Sequence, residues 1–151
     1  MNEDLYRIVY CSRNLIRGDE KAVSQELQTI LSKSRINNAA AAITGALLYS
    51  SGSFAQVLEG RLSAIERVFE VIQRDLRHSE VTVVQIGPIT SRQFPEWSMA
   101  LAGKSNMDSR PETIAAFDAV FSQRSGGGEQ ILNILQDLAV SDIDWILLGT
   151  A

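Results

Sequence analysis

The feature that most constrains the fold is a pair of β-prone segments separated by a tight-turn signal. Residues 42–49 (AITGALLY) and 53–59 (SFAQVLE) are rich in aliphatic side chains, and Ser51 and Gly52 lie between them. A serine followed by glycine between two such runs favours a short turn, so the two segments are predicted to form a β-hairpin.

Helical patterns lie on both sides of this hairpin. Residues 19–34 form the first. A stripe of residues at helical spacing lies along one side of it and continues to Asn38: Val23, Leu27, Ile30, Leu31, Ser34 and Asn38. The second is opened by a predicted capping box of Ser63 and Glu66, and its apolar face comprises Leu62, Ile65, Phe69, Ile72 and Leu76. The first stripe becomes polar at its C-terminal end, which a purely structural helix does not require.

Three further segments have strand character: residues 5–11 (LYRIVYC), 81–86 (VTVVQI) and 97–102 (WSMALA). The element order is then strand, helix, strand, strand, helix, strand, strand. This order predicts an α+β fold, a ferredoxin-like βαββαββ mixed sheet. Right-handed crossovers place both helices on one face, which leaves residues such as Leu48 and Val57 uncovered on the other.

The C-terminal third offers a cover for that second face. Helices are predicted from Pro111 to about Gln123 and over residues 129–140, separated by a glycine-rich break at 125–128. The tail at 143–148 (IDWILL) is too apolar to be left in water. We therefore expect this third to cap the sheet, to form a dimer surface, or both, and we divide the chain into a domain at 1–103 and a helical extension at 104–151.

Composition narrows the possible classes of protein. A chain of 151 residues with a net charge of −4 suits one globular domain and disfavours nucleic acid or an anionic membrane as a partner. Cys11 is the only cysteine, so an internal disulfide is excluded; a cytoplasmic location and a buried thiol are expected. We find no signal peptide or membrane-spanning run, and a single histidine excludes a multi-histidine metal site.

Three polar residues are predicted to converge on the helix-facing side of the sheet. Strand alternation places Gln56 among core residues, where each unmet hydrogen-bonding group costs about 1–3 kcal/mol. Gln56 can bond to nearby backbone or contact a ligand. Tyr10 has the same two interpretations, as a core tyrosine or a ligand contact. Asn38 is expected just past the first helix, where it can cap the helix or bind a ligand.

The segment RDLRHS at 74–79 holds the remaining candidates, Asp75, Arg77 and His78. Basic residues here are also favourable through the helix dipole alone. A triad of Ser79, His78 and Asp75 lacks the strand-turn-helix context that a nucleophile needs. The glycine run at 126–128 lacks the preceding strand and following lysine of a phosphate-binding loop.

Five motifs together resemble the BLUF family, the sensors of blue light that use FAD. They are LYRIVYCS at 5–12, SRINN at 34–38, ITGALLYSSGSFAQVLEG at 43–60, RDLRHS at 74–79 and FPEWSM at 94–99. The resemblance covers about residues 5–103. The remainder is similar to the short helical extension of stand-alone members.

The resemblance implies an FAD cofactor, with FMN possible, whose isoalloxazine ring lies between the two helices. Tyr10 and Gln56 match the family's photoactive pair, and Trp97 and Met99 match residues of the fifth strand that respond to light. The implied cofactor-binding residues are Ile30, Ser34, Asn38, Gln56, Ile72, Asp75, Arg77 and His78. Val71 departs from an arginine that some members carry, so Arg77 is the candidate for the flavin carbonyl contact made by that arginine.

The implied function is blue-light reception without turnover of a substrate. Light is expected to drive proton-coupled electron transfer from Tyr10 through Gln56, and the rearranged hydrogen bonds would signal to a partner protein. We also expect a homo-oligomer, at least a dimer. Two alternatives remain: an acylphosphatase-like hydrolase using Arg13 or Arg17, and a plain protein-interaction module.

Overall fold

The structure of the protein, a computed structural model, describes residues 4–50, 52–94, 100–102, 111–123 and 126–141. Along the chain its elements are β1 (Leu5–Asn14), α1 (Glu20–Ala40), β2 (Thr44–Ser50), β3 (Ser53–Arg61), α2 (Leu62–Arg74), β4 (His78–Ile89), β5 (Ala100–Ala102), α3 (Pro111–Phe121) and α4 (Gly127–Ser141). This order confirms the predicted succession of strands and helices. Among these helices, none combines the length and apolar character needed to cross a membrane.

The five strands form one mixed sheet in the order β4-β1-β3-β2-β5. β3 lies at the centre, and its neighbour β1 pairs antiparallel with both β3 and β4, whereas β5 runs parallel to β2. The α+β, ferredoxin-like prediction with an added fifth strand is therefore correct. The register sets Tyr10 of β1 directly opposite Gln56 of β3.

Each face of the sheet has its own hydrophobic core. On the α1 and α2 face, the fully buried residues include Leu27, Leu31, Ile43 and Leu58. On the other face, the core combines residues of the sheet, of the loop after β4 and of the C-terminal helices: Val9, Cys11, Ala46, Leu48, Ala55, Val57, Phe94, Ala116, Phe117, Val120, Ile131 and Leu135. The predicted cap over Leu48 and Val57 is thus present, and both of these residues are completely buried.

Helix α1 begins as its sequence predicts but extends further. The Asp19 side chain accepts a hydrogen bond from the Ala22 N–H at 2.9 Å, which satisfies one of the free donors of the first turn. The helix continues to Ala40, because alanines near its end favour helix. Asn38 therefore lies inside the last turn, and the prediction that it follows the helix is wrong.

Two details predicted for α2 are also wrong. The helix begins at Leu62 with Arg61 as its N-cap residue, which has no side-chain capping bond, so Ser63 falls within the first turn and the capping box does not form. The helix ends at Arg74, and Leu76 lies beyond it with 89% of its surface exposed. Leu76 is therefore not part of the apolar face.

Glycines shape two connections. Ser50 pairs with Ser53 across a two-residue turn, and Gly52 has a φ of +84°, which glycine adopts without steric cost. The break predicted at 125–128 is displaced toward the N-terminus, because α3 already ends at Phe121 and α4 already begins at Gly127. A Cβ on Gly127 would lie 2.9 Å from the Val120 backbone nitrogen, so glycine allows α4 to pack closely against α3.

A buried carboxylate fixes the loop that follows β4. Glu59 on β3 is completely buried and accepts hydrogen bonds from Arg7 Nε and Nη2 at 3.0 and 2.8 Å. It also accepts from the backbone N–H groups of Gln93 and Phe94, both at 2.9 Å. The Gln93 side chain in turn accepts a hydrogen bond from Gln136 of α4. Glu59 thereby joins β3, the loop and, through Gln93, α4.

Candidate ligand-binding site

A cavity of about 650 Å³ lies between α1 and α2, with the sheet beneath it. This volume is within the range of sites for small organic ligands. The lining residues are Tyr10, Thr29, Ile30, Lys33, Ser34, Asn37, Asn38, Ala40, Ala41, Leu47, Phe54, Gln56, Arg67, Val68, Val71, Ile72, Asp75, Arg77 and His78. Every photoactive or cofactor-binding residue that the family resemblance implies, and that the structure describes, is among them.

The floor of the cavity is formed by Tyr10 and Gln56. They are 4% and 6% exposed, and the Tyr10 hydroxyl donates a hydrogen bond to Gln56 Oε1. Burial raises the pKa of Tyr10 well above its usual value, and the negative charge of Asp75 raises it further. Tyr10 is therefore a neutral phenol whose proton lies on the oxygen that faces the Gln56 amide.

Aromatic and histidine contacts fix the position of the Tyr10 ring. The ring centroid lies 5.5 Å from that of Phe69 and 6.2 Å from that of His78, which meets it edge-on. His78 Nε2 lies 2.7 Å from the Ile72 carbonyl oxygen, which can only accept, so Nε2 carries a proton. His78 Nδ1 lies 2.7 Å from Ser12 Oγ, and in the neutral ring it accepts the hydroxyl proton. The imidazole is thus held between β1 and α2.

Asp75 and Arg77 form a charged cluster at one end of the cavity. The Arg77 guanidinium donates to both Asp75 oxygens, with the shortest contact at 2.6 Å, and its Nη1 lies 2.8 Å from Glu26 Oε1. Hydrogen bonds from Arg77 lower the pKa of Asp75. The same bonds raise the pKa of Arg77. Because Glu26 belongs to α1, the cluster links the end of α2 to the first half of α1.

One row of α1 forms the wall facing α2. Ile30, Ser34 and Asn38 recur at four-residue spacing, so they lie above one another on one side of the helix. Asn38 is 3% exposed, which places an amide with both donors and an acceptor in a nearly dry environment. Together with Gln56 it gives the cavity two buried amides between mainly apolar walls.

Several lining residues are not predicted from the sequence. The two charged ones are Lys33 and Arg67, and Ser12 and Glu26 support His78 and Arg77 from outside the lining. Arg67 lies two helical turns before Asp75, a spacing that could have revealed it. The predicted Trp97 and Met99, like the apolar tail at 143–148, lie outside the described residues.

Arg13, a candidate for the hydrolase alternative, does not line the cavity. Its guanidinium pairs with Glu80 and lies 4.0 Å from the centroid of the Phe121 ring. Across residues 4–50, 52–94, 100–102, 111–123 and 126–141, no three histidine, cysteine or acidic side chains cluster in a way that could hold a metal ion. The cavity is therefore the candidate site that the geometry supports.

These features define a small-molecule-binding α+β domain in which a buried tyrosine–glutamine pair faces the ligand cavity. The family model for BLUF, described as sensors of blue-light using FAD, matches residues 5–100, and the chain belongs to this family. The protein is thus a blue-light photoreceptor whose cofactor is FAD. Nothing in the comparisons supports an acylphosphatase-like hydrolase.

Solved structures with similar folds include members of the same family. The dark-state structure of the BLUF protein BlrB is 31% identical with a TM-score of 0.69, and the match covers 93% of this chain and 99% of BlrB. The photo-activated state of BlsA is 25% identical with a TM-score of 0.68, covering 90% and 95%.

Curated relatives are much longer proteins. The photoactivated adenylate cyclase subunit beta of Euglena longa is 36% identical over 87 residues, which are 57% of this chain and 10% of that protein. The alpha subunit of Euglena gracilis is 32% identical over 107 residues, or 71% of this chain and 10% of that protein. The chain therefore spans about a tenth of the length of these relatives.

The residues present fit a flavin. An isoalloxazine ring is flat and apolar on both faces, and its edge carries carbonyl and ring-nitrogen groups. The cavity offers apolar walls at Ile30, Val68 and Ile72, together with the buried amides of Asn38 and Gln56.

Proposed function

We propose that Tyr10 and Gln56 form the photoactive pair of this receptor. The observation that carries the proposal is the buried hydrogen bond from the Tyr10 hydroxyl to Gln56 Oε1 at the cavity floor. When bound, FAD supplies the blue-light absorption and the oxidising power that withdraws an electron from Tyr10. The Tyr10 proton then moves toward Gln56, because a phenol that has lost an electron becomes strongly acidic.

Recombination returns both the electron and the proton to Tyr10, so the cycle leaves no oxidised product. What differs afterwards is the set of hydrogen bonds made by the Gln56 amide. An amide has two donors and one acceptor, so exchanging their directions reverses which neighbours it can bind. We therefore assign the chain a signalling cycle and no substrate turnover of its own.

Several side chains are proposed to hold the flavin in the domain at 1–103. Asn38 would hydrogen-bond the polar ring edge, and Ile30, Ser34 and Ile72 would contact the ring from the two helices. Asp75, Arg77 and His78 would lie near its pyrimidine end. Arg77 is already paired with Asp75 and Glu26, so its part is to position Asp75 as well as to offer its remaining N–H groups.

The signal is proposed to leave through the opposite face of the sheet. Gln56 and Glu59 both belong to β3, and Glu59 binds the loop residues Gln93 and Phe94. Trp97 and Met99 follow that loop in the sequence, and Gln93 contacts α4 through Gln136. A shift of β3 at Gln56 would thus reach the extension at 104–151, which we propose as the output surface and as the contact of a cytoplasmic homodimer or larger assembly.

The substitution Tyr10→Phe tests the photoactive pair. The ring keeps its packing against Phe69 while the hydroxyl is lost, so bound flavin is expected at wild-type stoichiometry without the light-induced red shift. Tyr6→Phe is the matched control, because Tyr6 lies four residues earlier on the same strand and outside the cavity lining. A red shift of normal amplitude in Tyr10→Phe would refute the assignment, and spectra in darkness and under blue light measure it.

A further inference from the structure

The cavity mouth carries two positive charges that the proposed photochemistry does not use. Lys33 of α1 and Arg67 of α2 both line the cavity, and both side chains are exposed. In the part of the chain that the structure describes, neither forms an ion pair or a side-chain hydrogen bond. Arg77, by contrast, is bound to both Asp75 and Glu26.

The depth of these cations in the cavity differs from that of the photoactive pair. On α1, Lys33 is exposed, whereas its neighbour Ser34 is partly buried and Asn38, one turn after Ser34, is buried. On α2, Arg67 lies one turn before Val71, which is 63% exposed. Tyr10 and Gln56 are almost fully buried at the floor. The cations therefore mark the solvent end of the cavity.

The charge at this mouth also contrasts with that of the whole molecule. The chain has a net charge of −4, yet the lining has three cations, Lys33, Arg67 and Arg77, against the single carboxylate of Asp75. Because Arg77 and Asp75 pair with each other, the local excess of two positive charges rests on Lys33 and Arg67. A neutral ring system does not need such an excess, whereas phosphate groups do.

We infer that Lys33 and Arg67 bind the phosphate groups of the flavin and make the site selective for FAD and FMN over riboflavin. The inference rests on the proposed placement of the ring near Tyr10 and Gln56, with the ribityl chain leading out of the mouth. Both cations are exposed, so each contributes a modest and salt-sensitive part of the affinity.

The test is an equilibrium titration of the full-length apoprotein with FAD, FMN and riboflavin, which share the ring and the ribityl chain. Wild-type protein should bind FAD and FMN several-fold more tightly than riboflavin, and high salt should reduce only that advantage. Lys33→Gln and Arg67→Gln should each raise the Kd for FAD by about two- to five-fold, with riboflavin unchanged.

Lys21→Gln and Arg74→Gln are the matched controls, because each removes the same charge from the same helix at a position outside the cavity lining. The inferred selectivity would be overturned by equal affinity for the three flavins, or by a loss of riboflavin binding in the Lys33 and Arg67 variants equal to their loss of FAD binding. In either case a normal light-induced red shift would leave the proposed function intact. Controls as damaging as the test variants would also overturn it. Failure of all three flavins to bind would overturn both conclusions.

Discussion

Replacing Glu59 with glutamine should be among the most destabilising single changes that preserve side-chain shape. The Glu59 carboxylate is completely buried, lies 2.8 Å from Arg7 Nη2 and also accepts from the Phe94 N–H at 2.9 Å. The glutamine amide would turn an N–H group toward one of these donors and leave the buried Arg7 charge without a counter-ion. Breaking a buried ion pair in this way costs about 3–5 kcal/mol, a large part of the roughly 5–15 kcal/mol that stabilises a domain.

Urea unfolding in the dark with saturating FAD measures this loss, since equal ligand occupancy keeps the binding contribution constant. Glu80→Gln is the control, because its ion pair with Arg13 is about half exposed and should contribute less than about 1 kcal/mol. The double variant Arg7→Leu with Glu59→Leu should recover part of the loss. Recovery stays incomplete because the Gln93 and Phe94 N–H groups still lack their acceptor.

A difference below about 1 kcal/mol between Glu59→Gln and Glu80→Gln would refute the reasoning about burial. The same variant tests the output route. Glu59→Gln should retain the red shift, because the cavity floor is untouched, but should lose light-dependent changes in amide hydrogen exchange in α4. An unchanged response of α4 would show that the signal does not pass through Glu59.

Three further outcomes are expected. Asn38→Ala should raise the Kd for flavin about two- to ten-fold, from a lost hydrogen bond of about 0.5–1.5 kcal/mol, with a smaller effect on unfolding of the apoprotein; equal flavin affinity in a titration would contradict this. Burial raises the pKa of the Cys11 thiol to about 12. Cys11 should therefore resist thiol reagents at about pH 8, where an ordinary thiol is partly ionised and reacts, until urea unfolds the chain. Rapid labelling of the native protein would count against a buried thiol. Arg77 lowers the pKa of Asp75, so the stability from this pair is complete above the ordinary carboxylate range and is lost as the pH falls through the folded-state pKa of Asp75. In urea unfolding, Asp75→Asn should therefore be less stable than wild type at neutral pH and should lose less stability on acidification below about pH 4. Parallel pH profiles of the two proteins would contradict the pairing.

The element order was predictable because it depends on local periodicity. Alternation along β1 and β3 correctly placed Tyr10 and Gln56 on the helix-facing side, and the turn at Gly52 set the hairpin register. The ends of elements were harder to predict. Capping by Ser63 requires an extended backbone at that residue, and β3 runs directly into α2 through Arg61 instead.

The candidate site was predictable in its buried part and less so at its mouth. Polar residues such as Asn38 and Gln56 are conspicuous in apolar surroundings, so their sequence context marks them. Exposed charges such as Lys33 and Arg67 are ordinary on helix surfaces, and only the shape of the cavity distinguishes them. The contact between Arg7 and Glu59 joins residues 52 positions apart, and no local pattern indicates it.

The presence of a separate core on each face of the sheet has a consequence for how such domains diverge. Neighbouring positions of the central strands are constrained by different contacts, since Tyr10 faces the cavity whereas Val9 and Cys11 face the C-terminal helices. Substitutions can therefore accumulate at every second position of these strands. They change the face that packs against the C-terminal helices and leave the residues of the cavity face unchanged. A related domain can therefore bind a different partner protein through its C-terminal helices while its flavin-binding face stays the same.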